Sequence, residues 1–366
     1  MEDYMKRALE LAKKGCGWVS PNPMVGAVIV KDGQIIGEGY HAKYGELHAE
    51  RVALKSCTQS VKGATMYVTL EPCCHYGKQP PCVDAILQSG ISTVVVGSSD
   101  PNPLVAGKGI KILRENGVNV IENVLENECD NLNEVFFHFI KTKTPFVVMK
   151  YAMTFDGKIA AYTGESKWIT GQTARNHVQE QRHRYSAIMV GVGTVLADDP
   201  MLTCRIPNSK NPIRIICDTN LRTPLNSKMV TTAKQTKTII ATCETDKNKI
   251  LSYENTGCVV ISIKETNGHV DLKELMCKLG QMQIDSILLE GGGTLNWSAL
   301  ESGIVRKVQA YIAPKLLGGQ TAKTPIEGIG VKTPDDAFIL SNSKIVQLGD
   351  DILIESEVLP NVHRDC

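Results

Sequence analysis

The sequence is short of net charge, of long apolar runs and of repetition. Lys and Arg number 40 against 39 Asp and Glu, which leaves a net charge of +1, and no like-charged block reaches five residues. That balance, with no stripe of interleaved aromatic and basic side chains, argues against a protein that holds a phosphate backbone. No apolar run approaches the ~18 residues that a membrane span needs. The opening Met-Glu-Asp-Tyr-Met-Lys-Arg has no apolar stretch of the secretory kind, so a cytoplasmic location is the expectation. With 42% hydrophobic and 22% charged residues, the composition is that of a soluble globular protein. Its 366 residues exceed one comfortable core and predict two domains.

Apolar periodicity orders the chain. An amphipathic helix is predicted over about residues 2–14, followed by strands Met24–Val30 and Gln34–Gly37 around an Asp32-Gly33 hairpin turn. Helices His48–Lys55, Cys82–Gln88, Gly109–Glu115 and Glu128–Ile140 alternate with strands Ala64–Leu70, Ser92–Gly97 and Val118–Val124. This alternation predicts a mostly parallel sheet covered by helices. The polar stretch Lys141-Thr-Lys-Thr-Pro145 marks the boundary between domains of residues 1–144 and 145–366. Beyond it the pattern restarts with strands at Phe146–Met153, Ala187–Val192, Ile213–Cys217, Thr238–Ala241, Val259–Ile263, Ser286–Leu289, Val308–Ile312 and Ile352–Val358. Helices fall near Thr173–Arg184, Asp271–Leu279 and Leu295–Gly303.

Twelve cysteines are many for a reducing cytosol, and three of them, Cys73, Cys74 and Cys82, fall within ten residues. Cys73 and Cys82 with His48 supply two thiolates and an imidazole, the ligand count of a catalytic zinc site with one open position. Helices beginning near Cys73 and Cys82 would keep the sulfurs ionised. Glu50 follows His48 by two residues, so both serve one site only if it lies at the helix tip. There a carboxylate could take a proton from an activated water and return it to a leaving amine. A closed structural site of Cys73, Cys74, Cys82 and His48 or His75 is the competing arrangement, and incidental reduced thiols are another; neither needs Glu50.

His-x-Glu followed by Pro-Cys-x-x-Cys is the zinc deaminase signature, but here eight residues separate Cys73 from Cys82. With Pro21-Asn-Pro-Met-Val-Gly26, His48-Ala-Glu50 and Thr69-Leu-Glu-Pro-Cys-Cys-His-Tyr-Gly-Lys-Gln-Pro-Pro-Cys82, the first half resembles the deaminase half of the bifunctional riboflavin-biosynthesis deaminase/reductases. The resemblance runs over about residues 2–360 and implies a cytidine-deaminase-like α/β/α domain followed by a dihydrofolate-reductase-like α/β domain. It places Asn22, His41, His75 and Lys78 in the deaminase substrate pocket. Taken singly, His41 reads equally as a hairpin-end residue and Lys78 as a solvated loop charge.

In the second half, Lys150-Tyr-Ala-Met-Thr-Phe-Asp-Gly-Lys158, Ser166-Lys-Trp-Ile169, Val190–Pro200, Leu202-Thr-Cys-Arg205 and Leu288-Leu-Glu-Gly-Gly-Gly-Thr-Leu295 are similar to the reductase half. A strand, three glycines and a helix suit a pyrophosphate, although Gly291-Gly-Gly293 alone is also an ordinary turn. The resemblance implies that Ala152, Trp168, Thr194, Asp198, Thr219, Gly291, Gly292, Gly293, Thr294, Leu295, Asn296 and Trp297 contact NADPH. It implies that Ser166, Arg182, Leu202, Arg205 and Glu290 contact the substrate, and by residue type Lys150, at a strand end, could bond sugar hydroxyls or the ring oxygen. By residue type, Arg182 and Arg205 suit a phosphate and Trp168 suits a nicotinamide face, while a solvated arginine and a core tryptophan are the plain alternatives. The implied chemistry is zinc-hydroxide deamination of 2,5-diamino-6-ribosylamino-4(3H)-pyrimidinone 5′-phosphate, then NADPH reduction of the ribosyl group to ribityl. One zinc per chain, small-molecule substrates, no nucleic acid or membrane partner, and a homo-oligomer complete the expectation. A cytidine- or nucleic-acid-editing deaminase with an appended domain and a zinc-stabilised nucleotide sensor are the alternatives.

Overall fold

The computed structural model describes residues 1–76, 79–102 and 105–359, and it divides into two compact units, Met1–Lys143 and Thr144–Cys366. No described helix is long and apolar enough to cross a membrane.

In the first unit, β1 (Gly26–Lys31), β2 (Gln34–Tyr40), β3 (Thr65–Leu70), β4 (Thr93–Ser98) and β5 (Asn119–Ile121) form a sheet in the order β2-β1-β3-β4-β5. Asp32 and Gly33 join β1 to β2 with φ of 50° and 77°, the left-handed pair that a two-residue hairpin demands. That hairpin makes β1 antiparallel to β2, and β1 is also antiparallel to β3, while β3, β4 and β5 run parallel. The sheet is therefore evenly mixed, where a mostly parallel one was expected.

Its helices are α1 (Glu2–Lys13), α2 (Ala49–Ser56), α3 (Cys82–Ser89), α4 (Lys108–Glu115), α5 (Glu126–Leu132) and α6 (Glu134–Thr142). Strand alternation sends Ala27, Ile29, Met66, Val68, Val94 and Val96 against α2, α3 and α4. Val28, Val30, Tyr67 and Val95 point the other way, onto α1 and α5. Two expected elements differ. The helix predicted over Glu128–Ile140 is broken at Asn133, whose buried amide accepts from Met24 N–H at 2.8 Å and donates to Met24 C=O at 3.0 Å. The strand expected to reach Val124 stops at Ile121, because Asn123 and Leu125 take positive φ.

The second unit holds β6 (Phe146–Thr154), β7 (Ala187–Gly191), β8 (Ile213–Cys217), β9 (Thr238–Thr242), β10 (Val259–Ser262), the small hairpin β11 (Glu265–Thr266) and β12 (His269–Val270), β13 (Ser286–Leu289), β14 (Val305–Ala313), β15 (Leu340–Leu348) and β16 (Asp351–Val358). Nine of these form one sheet, ordered β10-β9-β8-β7-β13-β6-β14-β16-β15 and parallel as far as β14. Helices α7 (Gln172–Arg184), α8 (Val192–Asp198), α9 (Lys228–Thr231), α10 (Lys247–Glu254), α11 (Leu272–Gln281) and α12 (Gly293–Glu301) flank it. Leu272, Leu275, Met276, Ala299 and Leu300 of α11 and α12 cover one face, and Val195, Met229, Val230 and Tyr253 of α8, α9 and α10 the other. Helices α8, α9 and α10 and strand β15 stand outside the elements that periodicity predicts, and β15 is exposed along most of its length, so it lacks the apolar alternation that marks a strand. Parallel pairing brings the carboxyl ends of β6, β7, β8 and β13 to one edge, where such sheets place their ligands.

Candidate functional site

Helix α2 begins immediately after His48, which is its N-cap, and Glu50 lies in its first turn. The tip geometry that the two-residue spacing required is therefore present. Cys73 follows the end of β3, and Cys82 opens α3. One ligand atom from each of His48, Cys73 and Cys82 lies within 4.8 Å of the others, and His48 Nδ1 is 3.5 Å from both sulfurs. Tetrahedral zinc with ordinary Zn–S and Zn–N bonds sets N···S separations of about 3.6 Å, so the three residues fit the ion. Cys73 does not begin a helix, as had been expected. Instead the N–H of Cys82 donates to the Cys73 sulfur at 3.4 Å, so the N-terminus of α3 serves both thiols. The Cys82 thiol and His48 hold Cys73 down to about 4, while Cys82, sharing the proton, is pushed up.

Among the described residues no fourth His, Cys, Asp or Glu joins this group. Cys74 packs against the apolar core, and burial raises its thiol. The closed four-ligand alternative thus lacks its fourth member. Glu50 is 3% exposed, and burial first, then the Cys73 charge, push its carboxyl up to about 7. His41 lies edge-on to His48, with ring centroids 5.4 Å apart. Its two nitrogens face Leu47 C=O at 3.0 Å and the Asn22 amide at 3.2 Å, and burial keeps the ring neutral. With Nδ1–H donating to Leu47, Nε2 accepts from the Asn22 NH₂, which leaves the Asn22 carbonyl available to a ligand. His75 is half-buried, and its Nδ1 has no hydrogen-bond partner among the described residues. Lys78 lies outside the described residues.

Two supporting residues escaped the sequence reading. Arg51 donates to Pro81 C=O at 2.8 Å and so ties the Glu50 helix to the start of α3. Glu71 is buried, and its carboxylate accepts from the N–H groups of Asp100, Gly107, Gly109 and Ile110. A Cβ at Gly109 would stand 2.3 Å from Pro72 C=O, so this approach requires glycine. Glu71 thereby anchors the loop that carries Cys73. Glu71→Gln, with one acceptor oxygen in place of two, is expected to lower zinc affinity by about 10- to 100-fold in a competitive chelator titration. Unchanged affinity would deny it that anchoring role.

In the second unit a cavity of about 600 Å³ opens along the carboxyl edge of the sheet. Lys150, Ala152, Ser166, Trp168, Arg182, Thr194, Asp198, Arg205, Thr219, Glu290, Gly291, Gly292, Gly293, Thr294 and Leu295 all line it. Leu202, Asn296 and Trp297 do not. Leu202 is in the core, Asn296 is buried and donates to Pro325 C=O, and Trp297 packs edge-on to Phe338. Trp168 is 59% exposed beneath the Arg175 guanidinium, which removes the core-packing alternative. Arg182 is no solvated arginine either. Its fork is spent on Glu290, through two contacts of 2.9 Å, and on Thr203 C=O, so of these two arginines Arg205 is the one left available to a phosphate. Lys150 lies 3.9 Å from Glu290 as well. Burial opposes the Glu290 charge, but Arg182 and Lys150 outweigh it and hold the carboxyl at about 2.

The glycines open the cleft. A Cβ at Gly193 or Gly292 would meet no atom of the described residues within 4 Å, and α12 begins directly after Gly292 with no side-chain cap among them. Backbone N–H groups there are accessible to an anion, so the residues fit a dinucleotide. Arg175, Gln179, Arg222, His269 and Lys323 also line the cavity. They come from segments with no recognisable string, and only the folded sheet edge gathers them.

A three-ligand metal centre with a buried carboxylate in one unit, and a glycine-walled nucleotide cleft in the other, define a deaminase joined to a reductase. Residues 1–98 match the family model for the cytidine and deoxycytidylate deaminase zinc-binding region, and residues 145–354 match that for the RibD C-terminal domain. The chain is 58% identical to the riboflavin biosynthesis protein RibD of Actinobacillus pleuropneumoniae, over 98% of this chain and 95% of that one. Among solved structures it is similar to Acinetobacter baumannii RibD, form 1, with 37% identity, a TM-score of 0.88, and coverage of 98% and 99%. It is also similar to a Thermotoga maritima diaminohydroxyphosphoribosylaminopyrimidine deaminase/5-amino-6-(5-phosphoribosylamino)uracil reductase, with 39% identity, a TM-score of 0.85, and 98% of each chain covered. The chain belongs to the RibD family, bifunctional deaminase/reductase enzymes of riboflavin biosynthesis.

Proposed function

We propose that residues 1–144 deaminate 2,5-diamino-6-ribosylamino-4(3H)-pyrimidinone 5′-phosphate and that residues 145–366 reduce the ribosyl group of the product to ribityl with NADPH. The observation that carries the reading is the His48, Cys73 and Cys82 set with Glu50 buried at the same helix tip. Zinc, one per chain, supplies Lewis acidity toward water, and the nicotinamide supplies the hydride. Glu50 takes a proton from the attacking water and returns it to the departing amine. Asn22, His41, His75 and Lys78 form the substrate side, with the Asn22 carbonyl reading the amino-bearing edge of the ring.

In the second unit, Trp168 walls the nicotinamide, while Ala152, Thr194, Asp198, Thr219 and the run Gly291 to Leu295 line the cofactor groove. Arg205 takes the substrate 5′-phosphate, and Lys150 and Ser166 hold sugar hydroxyls. Arg182 acts through Glu290, which it fixes by a two-point contact. Leu202, Asn296 and Trp297 serve as supports behind these groups. A homo-oligomer is supported by β15, an edge strand that exposes Leu340, Ile345 and Val346. A cytoplasmic location is supported by the absence of any disulfide among the described cysteines.

The test is incubation of the purified, zinc-loaded protein with the diaminopyrimidine phosphate, with and without NADPH. Ammonia appears without reductant, and NADPH oxidation occurs only once deaminated product is present. Absence of ammonia overturns the first assignment, and absence of NADPH oxidation on supplied product overturns the second.

A further inference from the structure

The cations of the reductase cleft divide by what they already hold. Lys150 and Arg182 face Glu290. Arg175 stacks on Trp168 and donates to Thr170 C=O and to Gln172. Arg222 lines the same cavity, is exposed, and has no hydrogen-bond or ion-pair partner among the described residues.

Its position is fixed by topology. The cleft crosses the ends of β8, β7, β13 and β6 in that order. Lys150 and Ala152 come from β6, the glycine turns follow β13 and β7, and Arg222 follows β8. Three strand spacings of about 4.8 Å therefore separate the two ends, about 14 Å in all. With a nicotinamide at the β6 end beside Trp168 and the pyrophosphate on the glycine turns, the adenosine ribose reaches the β8 end. Arg222 waits there, and Thr219 and His269 line the same cavity.

The turn that presents Arg222 is clamped on both sides. Asp218 Oδ2 accepts from Thr223 N–H and from Thr223 Oγ1–H, both at 2.7 Å. The Tyr253 hydroxyl reaches Leu221 C=O at 3.1 Å and Thr223 C=O at 2.7 Å. Leu221 and Thr223 are buried, so the residue between them points outward from a rigid backbone. The backbone clamp places Arg222 at the cleft with all its N–H donors unspent among the described residues, and two parallel N–H groups of the guanidinium can grip a dianion.

We propose that Arg222 receives the 2′-phosphate of the adenosine ribose and is the residue that sets NADPH above NADH. The proposal rests on reading this unit as a nicotinamide-dinucleotide reductase. The experiment is calorimetric titration of wild type and Arg222→Ala with NADP⁺ and with NAD⁺, two ligands that differ only in that phosphate. Wild type binds NADP⁺ more tightly. Arg222→Ala loses about 10- to 100-fold in NADP⁺ affinity and little in NAD⁺ affinity, and Arg222→Lys, which keeps the charge without the fork, falls between. If wild type prefers NADP⁺ and Arg222→Ala keeps the whole preference, the assignment of Arg222 is overturned while the cofactor reading stands. If wild type shows no preference, both fall.

Discussion

Glu50→Gln leaves zinc in place and lowers ammonia release by about 10²- to 10⁴-fold, the loss that follows when a positioned proton carrier is removed. Glutamine matches the carboxylate in shape and still offers an oxygen toward Cys82, so the buried first turn of α2 keeps its packing. What it lacks is a basic oxygen. His48, Cys73 and Cys82 are untouched, and their mutual spacing fixes the metal without help from Glu50. Metal content per chain, read with a chromophoric chelator after thiol blocking, is expected to equal that of wild type. Reduction of supplied deaminated product should continue, since every described residue lining the reductase cleft belongs to the second unit. Ammonia release at the wild-type rate with zinc bound would remove Glu50 from the chemistry. Loss of zinc would make it a structural support of the metal centre.

The parts of this site that lay close together in sequence were legible there. His48 and Glu50 are two residues apart, Cys73 and Cys82 bracket one loop, and Gly291 to Leu295 follow a strand, so local spacing carries their geometry. Contacts between distant segments were hidden. Asn133 ends a helix because it pairs with Met24, 109 residues away, and nothing near Asn133 signals that partner. Arg182 sits on a polar helix and reads as a phosphate ligand, until Glu290, 108 residues away, takes its fork. Glu71 looked like one letter of a cysteine motif, yet its work is done on N–H groups that arrive from residues 100–110. The mixed sheet follows the same rule. An Asp-Gly turn was readable, but whether β1 next pairs with β3 in parallel or antiparallel fashion depends on tertiary packing.

Glu290→Gln is expected to damage the second unit and its activity together, because the carboxylate neutralises two cations in a nearly dry site. Glu290, Arg182 and Lys150 are each 11–14% exposed, and losing the acid leaves both cations uncompensated, at a cost of about 3–5 kcal/mol. The wild-type carboxyl is held at about 2, below the 4.5 of the unfolded chain. A carboxyl depressed in this way stabilises the fold above pH 4.5, and the contribution is lost as pH falls from about 4.5 toward 2. The interval corresponds to about 3 kcal/mol. Urea unfolding followed from pH 7 to pH 3 should therefore show wild type weakening with acid and Glu290→Gln starting lower with a flatter slope. The triple replacement Lys150→Met, Arg182→Met and Glu290→Leu separates stability from chemistry. It removes charge and counter-charge together, so stability returns toward wild type while NADPH oxidation stays absent. A Glu290→Gln protein as stable as wild type, with the same acid slope, would mean that water reaches Arg182 and Lys150 freely and that the cleft is not the low-dielectric site which their pairing with Glu290 implies.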